Sequence, residues 1–294
     1  MLTTHDLTRR FGDVVAVDRV SMDVPDGRMT GFIGGNGAGK TTTMRMIMGV
    51  LAAQAGTVTW NGMPVTADDR RRFGYMPEER GLYPKQPILD QLTYLGQLKG
   101  MTAPAARTTI LAYLDRFGLA SRAKERVEKL SLGNQQRVQI VAALLGEPRF
   151  LVLDEPFSGL DPDAVDSMAE MLREHVARGI PVLFSSHQLD LVDRLCDRLV
   201  VMARGRVVAQ GTSDDLRTAG PVRYHVAAAG DLGWVEGMPG IATLERLGAT
   251  VEFQVSLPGA EQRVLAEAVR RGPIESFGRV IPPLSEIYRR VTAA

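Results

Sequence analysis

The segment Gly34-Gly35-Asn36-Gly37-Ala38-Gly39-Lys40-Thr41 restricts the possible folds more than any other part of the chain. It matches G-x-x-x-x-G-K-[ST], a loop that cradles phosphate groups. Met29 to Ile33 before it is an apolar strand candidate. Lys40 to Val50 after it carries apolar side chains at helical spacing, and Gly49 is placed to end that helix. Strand, glycine loop and helix in this order form the phosphate-binding unit of an α/β fold. Small residues let the backbone amides curl around phosphate oxygens, and the free amides of the helix start face the anion. Gly34, Gly35, Asn36, Gly37, Ala38, Gly39, Lys40, Thr41 and Thr42 are therefore the candidate phosphate contacts. Lys40 brings a compact charge to the β- and γ-phosphates, and Thr41 brings a hydroxyl to Mg2+. The chain has only five lysines among 35 basic residues, so a lysine at this place is not explained by abundance.

A second acidic feature complements the loop. Phe150-Leu151-Val152-Leu153 is a fully apolar run that ends in Asp154-Glu155. Such a run suits a central strand covered on both faces, and ligands gather at the carboxyl ends of strands in open α/β sheets. Adjacent strand residues point to opposite faces, so the two carboxylates can hold different roles. Asp154 is the candidate Mg2+ ligand, directly or through water, and Glu155 the group that orients and polarises an attacking water.

The surrounding chain supplies the frame. Val14–Val17 and Val20–Val24 read as strands, and Asp26-Gly27 as a turn before the next one. Gly56–Trp60 ends at an Asn-Gly turn, and Phe73–Met76 stops at Pro77. From about 87 to 147 the periodicity turns helical, with helices over 88–98, 105–117 and 135–145, which suggests an inserted lobe. Strand patterns return at 150–153 and 181–185, and 198–210 reads as a hairpin turning at Arg204-Gly205. A boundary at 219–221 separates residues 1–218 from a small second domain, 219–294, with strands at 222–226 and 250–255 and helices at 261–271 and after Pro283.

Composition excludes several classes. A net charge of +1 gives no electrostatic reason to expect nucleic acid as a partner. The four histidines lack metal-ligand spacing, and the single cysteine, Cys196, reads as an inert thiol inside an apolar helix. No stretch reaches the roughly 18 consecutive apolar residues of a membrane span, and the first residues lack the pattern of a secretory signal. The expectation is a soluble, cytoplasmic chain that reaches a membrane only through partners.

Five features in order across roughly residues 2 to 215 resemble the ATP-binding-cassette (ABC) family of transporter ATPases. They are the phosphate loop, Leu130-Ser131-Leu132-Gly133-Asn134-Gln135, Asp154-Glu155-Pro156, Ser158-Gly159-Leu160-Asp161-Pro162, and His187 after a strand. The second is similar to the family's L-S-G-G-Q signature loop, which other phosphate-loop enzymes lack. The resemblance implies an α/β phosphate-loop fold with an antiparallel β region and an inserted helical lobe, here followed by a small α+β domain. It implies ATP and Mg2+ as cofactors, and two ATPase subunits packed head to tail. Ser131 and Gly133 of one subunit then face the γ-phosphate held by the other. His187 resembles the histidine that reaches the γ-phosphate, and Asp161 a residue that contacts the opposite subunit. Phe11 resembles the aromatic residue that stacks on adenine, a place where core packing also accounts for a ring.

Three features depart from the family pattern. Leu132 stands at the usual second glycine, with Asn134 or Gln135 at the final glutamine. Gly35 stands where proline is frequent. Glu78 replaces the glutamine that touches Mg2+; a carboxylate can also ligate that ion, so altered tuning is expected rather than loss. Residues 221–294, with their closing Ile281-Pro282-Pro283-Leu284-Ser285-Glu286-Ile287-Tyr288, resemble the C-terminal extension of ATPases from ABC-2 type export systems. The function implied is ATP hydrolysis that powers export through separate integral membrane permeases, at the inner face of the membrane. They are expected to dock near Glu78, Tyr83 and the 88–98 helix. The alternative is a soluble ABC-type ATPase acting on nucleic acid or ribosomes.

Overall fold

The computed structural model describes residues 1–79 and 81–293. The chain falls into two compact units. One comprises Met1–Thr212 with the last residues from Val291 onward, the other Ser213–Arg290.

The first unit opens with two long antiparallel strands, β1 (Leu2–Phe11) and β2 (Val14–Val24), then β3 (Met29–Ile33) and helix α1 (Lys40–Ile47). Strands β4 (Ala55–Trp60) and β5 (Met63–Pro64), the short helix α2 (Ala67–Arg71) and β6 (Phe73–Met76) follow. The helical insertion is α3 (Ile88–Leu98), α4 (Ala103–Arg116) and α5 (Leu132–Leu144). The chain then alternates through β7 (Phe150–Leu153), α6 (Pro162–Ala177), β8 (Val182–Ser186) and α7 (Leu189–Leu195), and ends in the hairpin β9 (Arg198–Ala203) and β10 (Arg206–Gly211).

Two sheets result. The antiparallel one has the order β2-β1-β4-β5, and the main one β10-β9-β3-β8-β7-β6. Strands β9, β3, β8, β7 and β6 are parallel neighbours, and β10 is antiparallel to β9. Every residue of β3, β7 and β8 is buried, as helices on both faces require. One core joins the two sheets. In it Phe73 meets Phe150 edge-on at 5.2 Å between centroids, and Trp60 leans on both. Burying each such ring contributes about 1.5–3 kcal/mol. At Gly74 the approach of α5 is so close that a Cβ would lie 2.3 Å from the Ala143 carbonyl oxygen, so only glycine fits there.

Some elements differ from the sequence expectations. Strand β1 was not anticipated: its alternation is broken at Asp6, which takes φ +48° where the register shifts against β2. Helix α5 begins at Leu132 instead of Gln135, because the Ser131 hydroxyl accepts a hydrogen bond from the Asn134 amide and caps it. The helix expected to contain Cys196 stops at Leu195. Cys196 is already extended, leading into β9. Its thiol still packs inward, so close to Gly31 that a Cβ there would lie 2.8 Å from it, and burial pushes its pKa well up.

The second unit starts with α8 (Ser213–Thr218) and builds an antiparallel sheet of β11 (Arg223–Ala228), β12 (Ile241–Leu247), β13 (Thr250–Val255) and β14 (Ile274–Arg279) in the order β12-β13-β11-β14. Helix α9 (Ala260–Arg271) buries Val264 and Ala268 in the same core as Val226, Val251 and Phe253. The last helix is α10 (Leu284–Ala293).

Candidate functional site

The loop between β3 and α1 has the shape its composition requires. Gly37 and Gly39 adopt φ +76° and +104°, the left-handed region that side chains disfavour. A Cβ on Gly39 would come within 2.4 Å of the Ala16 carbonyl, and one on Gly34 within 2.6 Å of that of Met202. Lys40, the first residue of α1, is 8% exposed. Its ammonium donates to the carbonyls of Gly34 at 2.6 Å and Gly35 at 3.3 Å. Gly34 and Gly35 therefore hold the lysine across the mouth of the loop.

A pocket of about 360 Å³ lies over this loop. Its walls include Phe11, Asn36, Gly37, Ala38, Gly39, Lys40, Thr41, Thr42, Glu78, Asp154 and Glu155. Sheet topology explains the convergence, since β3, β6 and β7 run parallel and deliver the loop, Glu78 and the Asp154-Glu155 pair at the same carboxyl edge. Phe11 sits at the β1–β2 hairpin, 48% exposed, with the Arg9 guanidinium 5.0 Å from its ring centre. The residue is therefore exposed at the pocket edge, with Arg9 over its ring.

Asp154 is fully buried. The Ser185 hydroxyl on β8 donates to its Oδ1 at 2.6 Å and accepts the Glu155 amide at 2.8 Å. Asp154 Oδ2 has no partner among the described residues, a costly condition unless a cation or ligand meets it. Thr41 Oγ1 lies 3.5 Å from Glu78 Oε2. Among the described residues no group of three His, Cys, Asp or Glu side chains could hold a metal unaided. The donors at this edge are one hydroxyl and carboxylates, all hard oxygens, and they suit Mg2+, which takes one or two protein ligands and completes its shell with phosphate oxygens and water.

Glu155 has φ +51°, rare for a residue with a side chain, and such strain collects where a side chain must be aimed. Its carbonyl accepts a 2.9 Å hydrogen bond from Gln136 on α5. Its carboxylate Oε2 lies 3.0 Å from Nδ1 of His187, which follows β8 and is 55% exposed. His187 thus touches Glu155 at the pocket edge without itself being one of the walls.

Ser131 and Gly133 are not among the walls of this pocket. Ser131 caps α5 at the surface with exposed Leu132 beside it, and Gly133 packs toward the Gly159 carbonyl. Asp161 caps α6 through the Ala164 amide and lies 3.7 Å from Arg137. Two groups escaped the sequence analysis. Ser185 is followed by Ser186 at the end of the otherwise apolar β8, where buried hydroxyls are the local hint of polar partners. Gln136 gave no signal, because its contact with Glu155 depends on how α5 meets β7.

Comparison with known proteins follows the same division. A family model described as "ABC transporter" matches residues 17–158, and one described as "ATP-binding protein DrrA1-3-like, C-terminal domain" matches residues 211–292. The uncharacterized ABC transporter ATP-binding protein YhaQ of Bacillus subtilis is 39% identical over 289 residues, covering 98% of this chain and 97% of that protein. The Nod factor export ATP-binding protein I of Burkholderia lata is 39% identical over 210 residues, 70% of this chain and 69% of its own length. A solved ATP-binding subunit of an ABC transporter superposes with a TM-score of 0.69 at 34% identity, covering 74% of this chain and 92% of that structure.

Proposed function

Because the chain belongs to the ATP-binding proteins of ABC transporters, we propose that it hydrolyses ATP to power export through separate membrane subunits. The observation that carries this is the Glu155–His187 pair at the edge of a phosphate-loop pocket, beside buried Asp154 and clamped Lys40. The export named for the Burkholderia relative supports the direction of transport.

The loop amides and Lys40 bind the phosphates and stabilise charge on the transferring group. Phe11 supports the adenine by stacking. Thr41, Asp154 and Glu78 would hold Mg2+, which neutralises phosphate charge when bound. Glu155, steadied at its amide by Ser185 and at its carboxylate by His187, orients the attacking water and draws off its proton. His187 holds the γ-phosphate side.

A second copy completes the site head to tail. Ser131 and Gly133 lie outside their own pocket, with Ser131 at the exposed start of α5, where a helix N-terminus favours a phosphate. Closing on two ATP molecules and reopening after hydrolysis gives the two-state motion that drives a partner. No helix among the described residues is long and apolar enough to cross a membrane, so we assign the passage to integral membrane permeases and this chain to their cytoplasmic face. Exposed Tyr83, Tyr94 and Leu98 on and before α3 are suited to that contact.

Affinity capture from native detergent-solubilised membranes tests the proposal. It predicts recovery of a polytopic membrane protein and ATPase activity that rises in its presence. Recovery with no such partner, together with stimulation by DNA or ribosomes, would overturn it.

A further inference from the structure

Three carboxylates, Glu78, Asp154 and Glu155, and a single ammonium, Lys40, make up the charged lining of the nucleotide pocket. Two of the carboxylates have work inside the protein. Asp154 accepts the Ser185 hydroxyl, and Glu155 meets His187. Glu78 differs. It is exposed at the pocket mouth, its recorded contact is the 3.5 Å approach of the Thr41 hydroxyl, and no cation is paired with it among the described residues. Its charge therefore faces the space that a polyphosphate must enter.

We propose that Glu78 makes nucleotide binding itself, and not only hydrolysis, conditional on a divalent cation. The inference rests on the pocket being an ATP site and specifies the form of ATP it accepts. Metal-free ATP carries up to four negative charges into a lining already richer in carboxylates than in cations. Each unscreened unit charge at pocket distances weakens binding by on the order of tenfold. A nucleotide complexed to a divalent cation brings the compensating charge with it, and the Glu78 carboxylate and Thr41 hydroxyl then become donors to that cation instead of a repulsive wall and an occupied hydroxyl. Glu78 is in this sense a specificity residue, selecting the metal complex over the free nucleotide.

The test is equilibrium binding of a fluorescent ATP analogue to the purified full chain, in Mg2+ and in EDTA. No turnover is read. For the native chain the affinity should fall on the order of 30-fold in EDTA, and for Glu78→Gln by only about threefold. Gln keeps the size and polarity at an exposed position, so the fold should be untouched, and matching melting curves check this. Glu79→Gln, which removes a neighbouring charge outside the pocket lining, should behave as the native chain does. Equal affinity of the native chain in Mg2+ and EDTA would overturn the inference, as would an equal loss in the native chain and Glu78→Gln. Absence of binding even in Mg2+ would instead overturn the assignment of the pocket to ATP.

Discussion

Ser185 shows how much of the site depends on one hydroxyl. It donates to the buried Asp154 carboxylate and accepts the Glu155 amide, so it fixes the proposed metal ligand and the proposed water-orienting residue against the same strand. Replacing it with alanine strips a partner from a charged oxygen and from a backbone amide. Ser185→Ala should cost about 1–3 kcal/mol of stability, measured by urea unfolding, and should lower turnover more than ATP affinity. Unchanged stability and turnover would contradict this role. At this scale the place of the glycine loop in the pocket was legible because its residues are consecutive. Asp154 and Glu155 were legible because an apolar run ends on them. Ser185 and Gln136 were not, since each acts on residues about 20–30 positions away through strand pairing and helix packing.

Helices α3 and α5 meet where Lys99 follows the end of α3. Its amine donates to the Ala143 carbonyl at 3.3 Å, and its stem packs against Gly146, where a Cβ would lie 2.8 Å from that of Lys99. Burial lowers its pKa to about 8 from an ordinary 10.5. The sign follows from linkage. Between those two values the unfolded chain binds the proton and the folded chain does not, so stability rises with pH from about 8 to 10.5, by up to roughly 3 kcal/mol. Denaturant midpoints across that window should show the rise, and Lys99→Met should remove the Lys99 share of it. A slope identical in both proteins would refute the assignment. Helix α3 was legible because helical periodicity is strong over 88–98, whereas α5, buried on several sides, carries little one-sided pattern. The failures lie where the periodicity is interrupted. Strand β1 is polar and bulged at Asp6, and α7 ends before Cys196 because the chain must extend into β9 alongside β3.

On the scale of the whole molecule, the phosphate loop and acidic strand end lie at one sheet edge while Ser131 begins a helix outside their pocket. In the proposed head-to-tail pair, the Ser131 end of α5 in one copy would meet the pocket of the other, which this placement outside its own pocket allows. The fold class was legible from the order of strand, loop, helical insertion and returning strands. The sheet of the second unit was only half legible, because β12 and β14 carry charged residues along their length and make a ladder only with β13 and β11. The most direct test of the central claim is Glu155→Gln, assayed for steady-state ATP hydrolysis and for mass in solution with Mg2+ and ATP. The proposed mechanism predicts retained ATP binding, turnover reduced by about 100-fold or more, and a shift from 32.0 kDa toward twice that mass as the closed pair accumulates. Undiminished turnover in the variant would contradict it.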